Sequence, residues 1–450
     1  MGPSRWDFPN VKALWKPGAA GDRLRLIPMN SFRPLQAVVV SSLCGSLAVS
    51  AADWTCWRGS DGLGLSPEKS VPVAWSKDKN LAWKAAVPGR GASSPIVVGR
   101  RVYLTSQTPD QGLHLLAFDR ETGAQAWDTE IARGKLHAHE LHNMATPTAV
   151  SDGRQVWVLF GTGDLACVTA EGRIVWQRNL VKEFGPLKTN HGYGSSPMLD
   201  GNRLFVVRMH QGADSYVMAV DARTGKDLWK KDRSNAAREE GKDSYSTPVF
   251  HRHGGKLEVV VAGAEVLNAY DPANGDVIWS VSGLDVPHPY GRTIAGPTAG
   301  EGVVVAVASG FQNRGYTVGI KAGGRGDITS THSLWKSTRY SADCPTPVIV
   351  GGHLFSIRDD GMASCLDLKT GEPRWQERLF TENVKVSPVA AAGRVYFTSG
   401  RGNTVVVAAA PKFEVLSRNE LNEDTLATPA VSGGRVYLRT EGGLYCFGGR

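Results

Sequence analysis

The sequence predicts an all-β fold: an eight-bladed β-propeller of four-stranded antiparallel blades, its ring closed by an N-terminal strand around Trp83. Three observations carry that expectation. A turn phrase recurs with fixed internal spacing, a proline marker recurs eight times, and first strands outnumber the last strands that follow them by one.

The turn phrase is clearest at Asp119, Thr122, Gly123 and Trp127. It returns at Asp221, Thr224, Gly225 and Trp229, at Asp271, Asn274, Gly275 and Trp279, and at Asp367, Thr370, Gly371 and Trp375. The Asp-to-Trp separation is eight each time. A shorter form ends at Trp176, and a form without the turn ends at Trp335. An Asp side chain bonds backbone amides just ahead of it, and Gly takes the positive φ of a tight turn. Apolar runs on both sides make a hairpin. The Trp then falls at a fixed place on the second strand of that hairpin, where it can cover the edge of the neighbouring unit.

The second marker is a Pro opening a short apolar run, at Pro95, Pro147, Pro197, Pro248, Pro297, Pro347, Pro388 and Pro429. The spacings are 52, 50, 51, 49, 50, 41 and 41. Pro at the start of a strand removes no essential ladder bond. Each run leads through a Gly-containing turn to another strand, so each unit holds four strands in ~40–50 residues, the size of a propeller blade. Only seven fourth strands follow in order, the last of them Trp-less around Phe413. Residues 81–84, with Trp83, supply the eighth and remove an open sheet edge.

The rest of the chain is read against that ring. At 41% hydrophobic and 21% charged, the composition is that of a soluble globular protein. The formal charge is +8, of which residues 1–52 carry +4 (six Lys or Arg against two Asp or Glu). The remaining basic residues are scattered through turns, which argues against nucleic acid as a partner. Residues 1–28 match nothing in the repeat and are expected to be a disordered extension or a mis-assigned start. Residues 29–52 have a basic flank at Arg33, an apolar stretch over 35–49 and a small-residue close at Ser50, Ala51 and Ala52. That is the pattern of a secretory signal peptide, which predicts an exported, periplasmic product with no span after cleavage, expected to be a monomer. The apolar stretch is short for a membrane span. Cys44 follows Leu43 where a lipid-attachment motif wants a small residue.

Five cysteines remain after such cleavage, an odd number without any close pair. Cys167, Cys365 and Cys446 fall at one repeated strand position in different blades, so they are expected to be small buried apolar residues. Residues 53–80, rich in Trp and Gly, are expected to cover the closed ring. Their glycine run lacks the preceding strand and the Lys-Ser/Thr of a phosphate loop.

The repeat phrase, with Trp57-Arg58-Gly59, Gly62, Gly64 and Ser93-Ser94-Pro95, resembles the PQQ-like (quinoprotein-like) β-propellers. It is most similar to the exported PQQ-binding-like repeat proteins common in planctomycete-type bacteria, with residues 81–450 forming the propeller. The resemblance implies two competing functions. One is a scaffold like the BamB subunit of the outer-membrane assembly machinery, which has no cofactor and binds a partner protein or cell-envelope component through its loops. The alternative is a quinoprotein dehydrogenase of alcohols or sugars holding pyrroloquinoline quinone with calcium. The second group often has adjacent cysteines beside the cofactor, and this chain has none. The scaffold is the expectation, without a cofactor, a metal or a catalytic residue.

Loops leading into the first strands should gather around the channel on one face. They carry the ligand-binding candidates His142, Asn143, His191, Tyr193, Tyr245, Arg292 and Lys385. The competing view of each is polar lining that satisfies backbone groups. The His137, His139, His142 cluster has imidazoles for zinc but sits on a loop without a paired carboxylate pattern. Exposed Tyr and His at a funnel also suit a sugar ring. The structural set is Trp83, Trp127, Trp176, Trp229, Trp279, Trp335 and Trp375, with Gly123, Gly225, Gly275 and Gly371.

Overall fold

A computed structural model describes residues 52–237, 239–310 and 315–448. The expected extension and all of the expected signal peptide but Ala52 lie outside the described residues, as does Cys44. The described chain forms eight four-stranded antiparallel blades, seven with their strands in chain order and the eighth completed by a strand from before the first blade. Two blades carry one extra short parallel strand, Leu65–Ser66 on blade 7 and Gly326–Asp327 on blade 4. Among the described residues the single α-helix is Leu180–Phe184, and no helix is long and apolar enough to cross a membrane. Blade 8 is closed by Leu81–Ala85, which pairs with Gly443–Phe447. The ring therefore has no free end.

The docking of neighbouring blades repeats one contact. Trp83, Trp127, Trp176, Trp229 and Trp335 each lie on the turn glycine of the next blade: Gly123, Gly172, Gly225, Gly275 and Gly371. A Cβ built on those glycines would sit 2.5–2.9 Å from the indole. Each indole N–H donates to a carbonyl in the same turn: Arg120, Ala170, Ala222, Pro272 and Leu368, at 2.9–3.1 Å. Glycine is thus required twice at Gly225, for a φ of 73° and for the space the ring occupies. Opposite each Trp on the third strand stands a small residue, such as Ala117, Cys167, Ala219, Gly319, Cys365 or Cys446. The three cysteines are buried and free. They serve as spacers beneath the indole, and burial pushes their thiols up to about 12.

Three of the eight joints depart from the rule, and at one of them Trp375 donates to Ala410 O (3.2 Å) but lies against Phe413 rather than a glycine. Blade 5 lacks the turn, so Trp279 instead donates to Glu258 Oε2 (3.2 Å) within its own blade, and that carboxylate also meets His251 Nδ1 at 3.0 Å. Blade 7 lacks the Trp. Its place is taken by Trp75, which stacks on Tyr396 of blade 7 and Phe447 of blade 8, with its backbone amide held by Asn419. Trp75 is therefore a docking tryptophan supplied from outside the repeat.

The inner ends of the blades are joined by hydroxyls. The amides of Ser94, Thr148 and Ser196 donate to the hydroxyls of Thr148, Ser196 and Thr247 at 2.9 Å. Gly296 donates to Thr346, Thr346 to Ser387, and Thr428 back to Ser94, at 2.7–3.0 Å. This explains the Ser/Thr of the Ser/Thr-Pro marker. It also corrects the register of blade 2, where the ring residue is Thr148 and Pro147 precedes rather than follows it.

Residues 52–80 run across the ends of the first strands. Trp54 bridges Val97 of blade 1, Thr55 accepts from Ser151, Asp61 from Phe250, and Gly64 from Ala390. Arg58 is buried and bonds the carbonyls of Pro347 and Pro388.

Replacing Gly225 by Ala is expected to cost roughly 1–3 kcal/mol for the left-handed backbone plus the displacement of Trp176. Gly201→Ala, with positive φ but open space around it, bears only the first cost. Urea midpoints of the two variants should differ, with Gly225→Ala the lower.

Glu423 ties down the closing strand. It accepts from Tyr445 Oη (2.6 Å) and Thr440 Oγ1 (2.8 Å) and faces Lys77 (3.2 Å) and Lys84 (3.5 Å). Burial raises its pKa, but these donors and cations outweigh that and hold it at about 2. With an ordinary unfolded value of ~4.3, its contribution is complete above that pH and is lost as pH falls toward 2. Wild type should lose urea stability over this window more steeply than Glu423→Gln.

Candidate functional site: an axial well at the loop face

The loops that precede the first strands gather at the end of the ring away from residues 52–80. They surround an axial cavity of about 290 Å³. Its wall includes His139, His142, His191, Tyr245, Arg292, Asp343, Cys344 and Lys385. Its base holds Trp57 and the hydroxyl ring, with Trp57 reaching in from the covering segment. Trp57 Cζ3 lies 3.6 Å from where a side chain on Gly296 would begin, an ordinary packing distance.

The wall is a connected polar network. His191 stacks on His139 (ring centroids 5.3 Å apart) and meets Glu240 Oε1 at 3.1 Å. Tyr245 lies edge-on to His191, and its hydroxyl donates to Asp243 Oδ2 at 3.0 Å. Arg292 bridges Glu240 Oε2 (3.5 Å) and Asp343 Oδ2 (3.2 Å). Asp359 accepts the amides of Asp343 and Cys344 (2.7 and 3.3 Å) and pairs with Lys385 Nζ at 2.7 Å. His142 Nδ1 meets Thr146 Oγ1 at 3.1 Å.

Electrostatics follow from burial and pairing. Burial lifts the Asp343 carboxyl above its ordinary range against the pull of Arg292, and it lifts Asp243 as well. Burial also pushes Glu240 up, but His191 and Arg292 reverse the sign and hold it below its usual value. Burial lowers His142. For Lys385 the neighbouring Cys344 and Asp359 outweigh burial and raise its pKa. Arg292 and Lys385 each already have a carboxylate partner.

Of the residues singled out in the sequence, His142, His191, Tyr245, Arg292 and Lys385 line this well. Asn143 does not. Its side chain caps its own loop, donating to Arg90 O and accepting from Ala145 N, and it lines an adjoining groove of about 750 Å³. Tyr193 is corrected: it is buried in the core of blade 3 with its hydroxyl on Val207 O (2.6 Å), because its loop turns inward there. Sequence reasoning missed Asp359, which lies between the second and third strands of blade 6; antiparallel alternation returns that turn to the loop face. It also missed Glu240, hidden in the short turn Glu239–Lys242, and Trp57, which was assigned only to the cover. The loop imidazoles do not close a ligand set. Among the described residues the one group with converging metal-ligating atoms is Asp343, Cys344 and Asp359, and Lys385 already pairs with Asp359.

A closed ring of eight four-stranded blades, joined by indole-on-glycine docking and holding a polar axial well, defines a quinoprotein-like β-propeller. The profile of the family described as "Outer membrane protein assembly factor BamB" matches residues 67–184 and 114–377, more than half of the chain. The chain belongs to that family of PQQ-like propellers. It is 32% identical over 127 residues to the outer membrane protein assembly factor BamB of Vibrio cholerae, a match covering 27% of this chain and 30% of that protein. It is 22% identical over 320 residues to BamB of Yersinia pestis, covering 70% and 75%. The chain thus spans under a third of the first relative's length and three quarters of the second's. BamB from Moraxella catarrhalis superposes with a TM-score of 0.54 at 14% identity, over 76% of this chain and 94% of that one. A europium-containing methanol dehydrogenase superposes at 0.64 and 11% identity, over 86% and 89%. At these identities the likeness is one of fold.

Arg292→Leu removes the cation between Glu240 and Asp343, two carboxylates it alone bridges. The expected loss is roughly 3–5 kcal/mol in urea unfolding. The double variant Arg292→Leu/Glu240→Gln should recover part of it, because one stranded charge is removed with its partner.

Proposed function

We propose that this protein is an exported, periplasmic propeller scaffold that engages a partner protein or cell-envelope component through its channel-mouth loops. The observation that carries this reading is the pre-ordered mouth. Its charged groups are held by one another, and beside them the loops present exposed Leu136 and Leu141, apolar anchors of the kind that seat a partner. The relatives named for outer membrane protein assembly support the same class of role.

A quinone site is the competing reading. Pyrroloquinoline quinone is a flat polyanion, and its calcium asks for oxygen ligands. Trp57 offers a flat base and Asp343 and Asp359 offer oxygens, but Arg292 and Lys385 are already neutralised by carboxylates. An anion entering the well meets no unmatched cation there. The donor set therefore does not fit this cofactor, and no reaction step is assigned through it.

The test is photo-crosslinking in intact cells from Leu141 and, as a control, from Leu416 on the outer edge of blade 7. Crosslinks to one envelope protein from Leu141 alone are expected. Equal or absent crosslinking at the mouth, together with tight calcium-dependent binding of the quinone by the purified chain, would overturn the scaffold reading in favour of the dehydrogenase.

A further inference from the structure

The base of the well has a chemistry that the partner-binding reading leaves unused. Trp57 is half-buried, comes from outside the repeat, and lines the well at the axis. Around it stand Ser94, Thr148, Ser196, Thr247, Thr346 and Ser387, all buried and all lining the same cavity. Each of these hydroxyl oxygens accepts one amide from a neighbouring blade. A hydroxyl that accepts one bond retains its own O–H to donate and a second lone pair. The base is thus an aromatic plate ringed by neutral groups able both to give and to take hydrogen bonds.

The occupant must match that mixture. An apolar ligand would leave the donor O–H of these hydroxyls facing no acceptor, whereas a polar edge answers it. A polyanion finds Arg292 and Lys385 already paired, with the carboxylates of Glu240, Asp343 and Asp359 beside them. A neutral ring with one C–H face and hydroxyls around its edge satisfies every part: the face lies on the indole, and the edge meets the hydroxyl ring. The paired charges above, Asp343 and Lys385 among them, then give charge-assisted bonds. At about 290 Å³ the cavity falls at the small end of the usual range of ~300–1,000 Å³ for ligand pockets.

We infer that the axial well binds a neutral sugar ring, the end of a glycan, stacked on Trp57 and bonded at its edge by the hydroxyl ring. The inference deepens the scaffold reading by naming the chemistry of a cell-envelope component that the same face would hold.

The test is saturation-transfer NMR on the full chain with the methyl glycosides of glucose, galactose, mannose and N-acetylglucosamine, and with glucuronate as the charged comparison. Binding of at least one neutral glycoside is expected, with transfer concentrated on the C–H protons of one ring face. Trp57→Ala should weaken it at least tenfold, and Trp57→Phe should retain most of it. The wild-type face pattern stands as evidence even if the alanine variant does not fold. No transfer from any neutral glycoside at tens of millimolar, binding of glucuronate alone, or undiminished binding by folded Trp57→Ala would overturn the inference. Loss of the sugar with crosslinking intact removes this inference alone, and loss of crosslinking with the sugar retained removes the protein-partner reading alone.

Discussion

The ring depends on a flat indole laid over a glycine. Blades in a propeller touch along their faces, and faces splay apart toward the rim. A large planar side chain fills the wedge there, and its N–H fixes the register by reaching a turn carbonyl, as Trp83 does at Arg120 and Trp335 at Leu368. The contact demands a glycine on one side and a small residue beneath the ring on the other. One phrase in the sequence therefore encodes a turn, a spacer and an inter-blade joint together, and repetition of the phrase closes the circle.

The joint also explains the departures. Where blade 5 offers no turn, Trp279 finds Glu258 in its own blade, since a buried indole N–H without an acceptor is costly. Where blade 7 has no Trp, the segment before the first blade threads Trp75 into the gap between Tyr396 and Phe447. The covering segment therefore does two structural jobs: it completes the last joint at the rim, and it crosses the first-strand ends with Arg58 bonded to two backbone carbonyls.

The same crossing shapes the site. By lifting Trp57 into the axis, the segment turns an open channel into a well with an aromatic base. The wall above is built from loops of different blades, each adding one or two polar side chains. Those side chains satisfy one another across blade boundaries, Arg292 of blade 5 to Asp343 of blade 6 and His191 of blade 3 to Glu240 of blade 4. A wall whose two cations are each held by carboxylates offers no free positive charge to a polyanion.

Much of this was legible in the chain alone. Local turn chemistry and strict spacing determined the blade, the count of eight and the closing strand at Trp83, because each rests on contacts within one repeat or between adjacent ones. They also determined which loops face the axis, and so that His142, His191, Tyr245, Arg292 and Lys385 share one end of the ring. What only the tertiary structure decided depends on contacts far apart in sequence. Tyr193 and His191 are two residues apart, yet one enters a core and the other lines the well, because the loop turns between them. Trp57 and Trp75 carry no repeat signature, and their positions follow from the path of a segment held by blades as far apart in the chain as those of Val97 and Asn419. The pairing of Lys385 with Asp359 and of Arg292 with Asp343 follows from where neighbouring blades bring their turns, and it is this pairing that sets the charge the well presents.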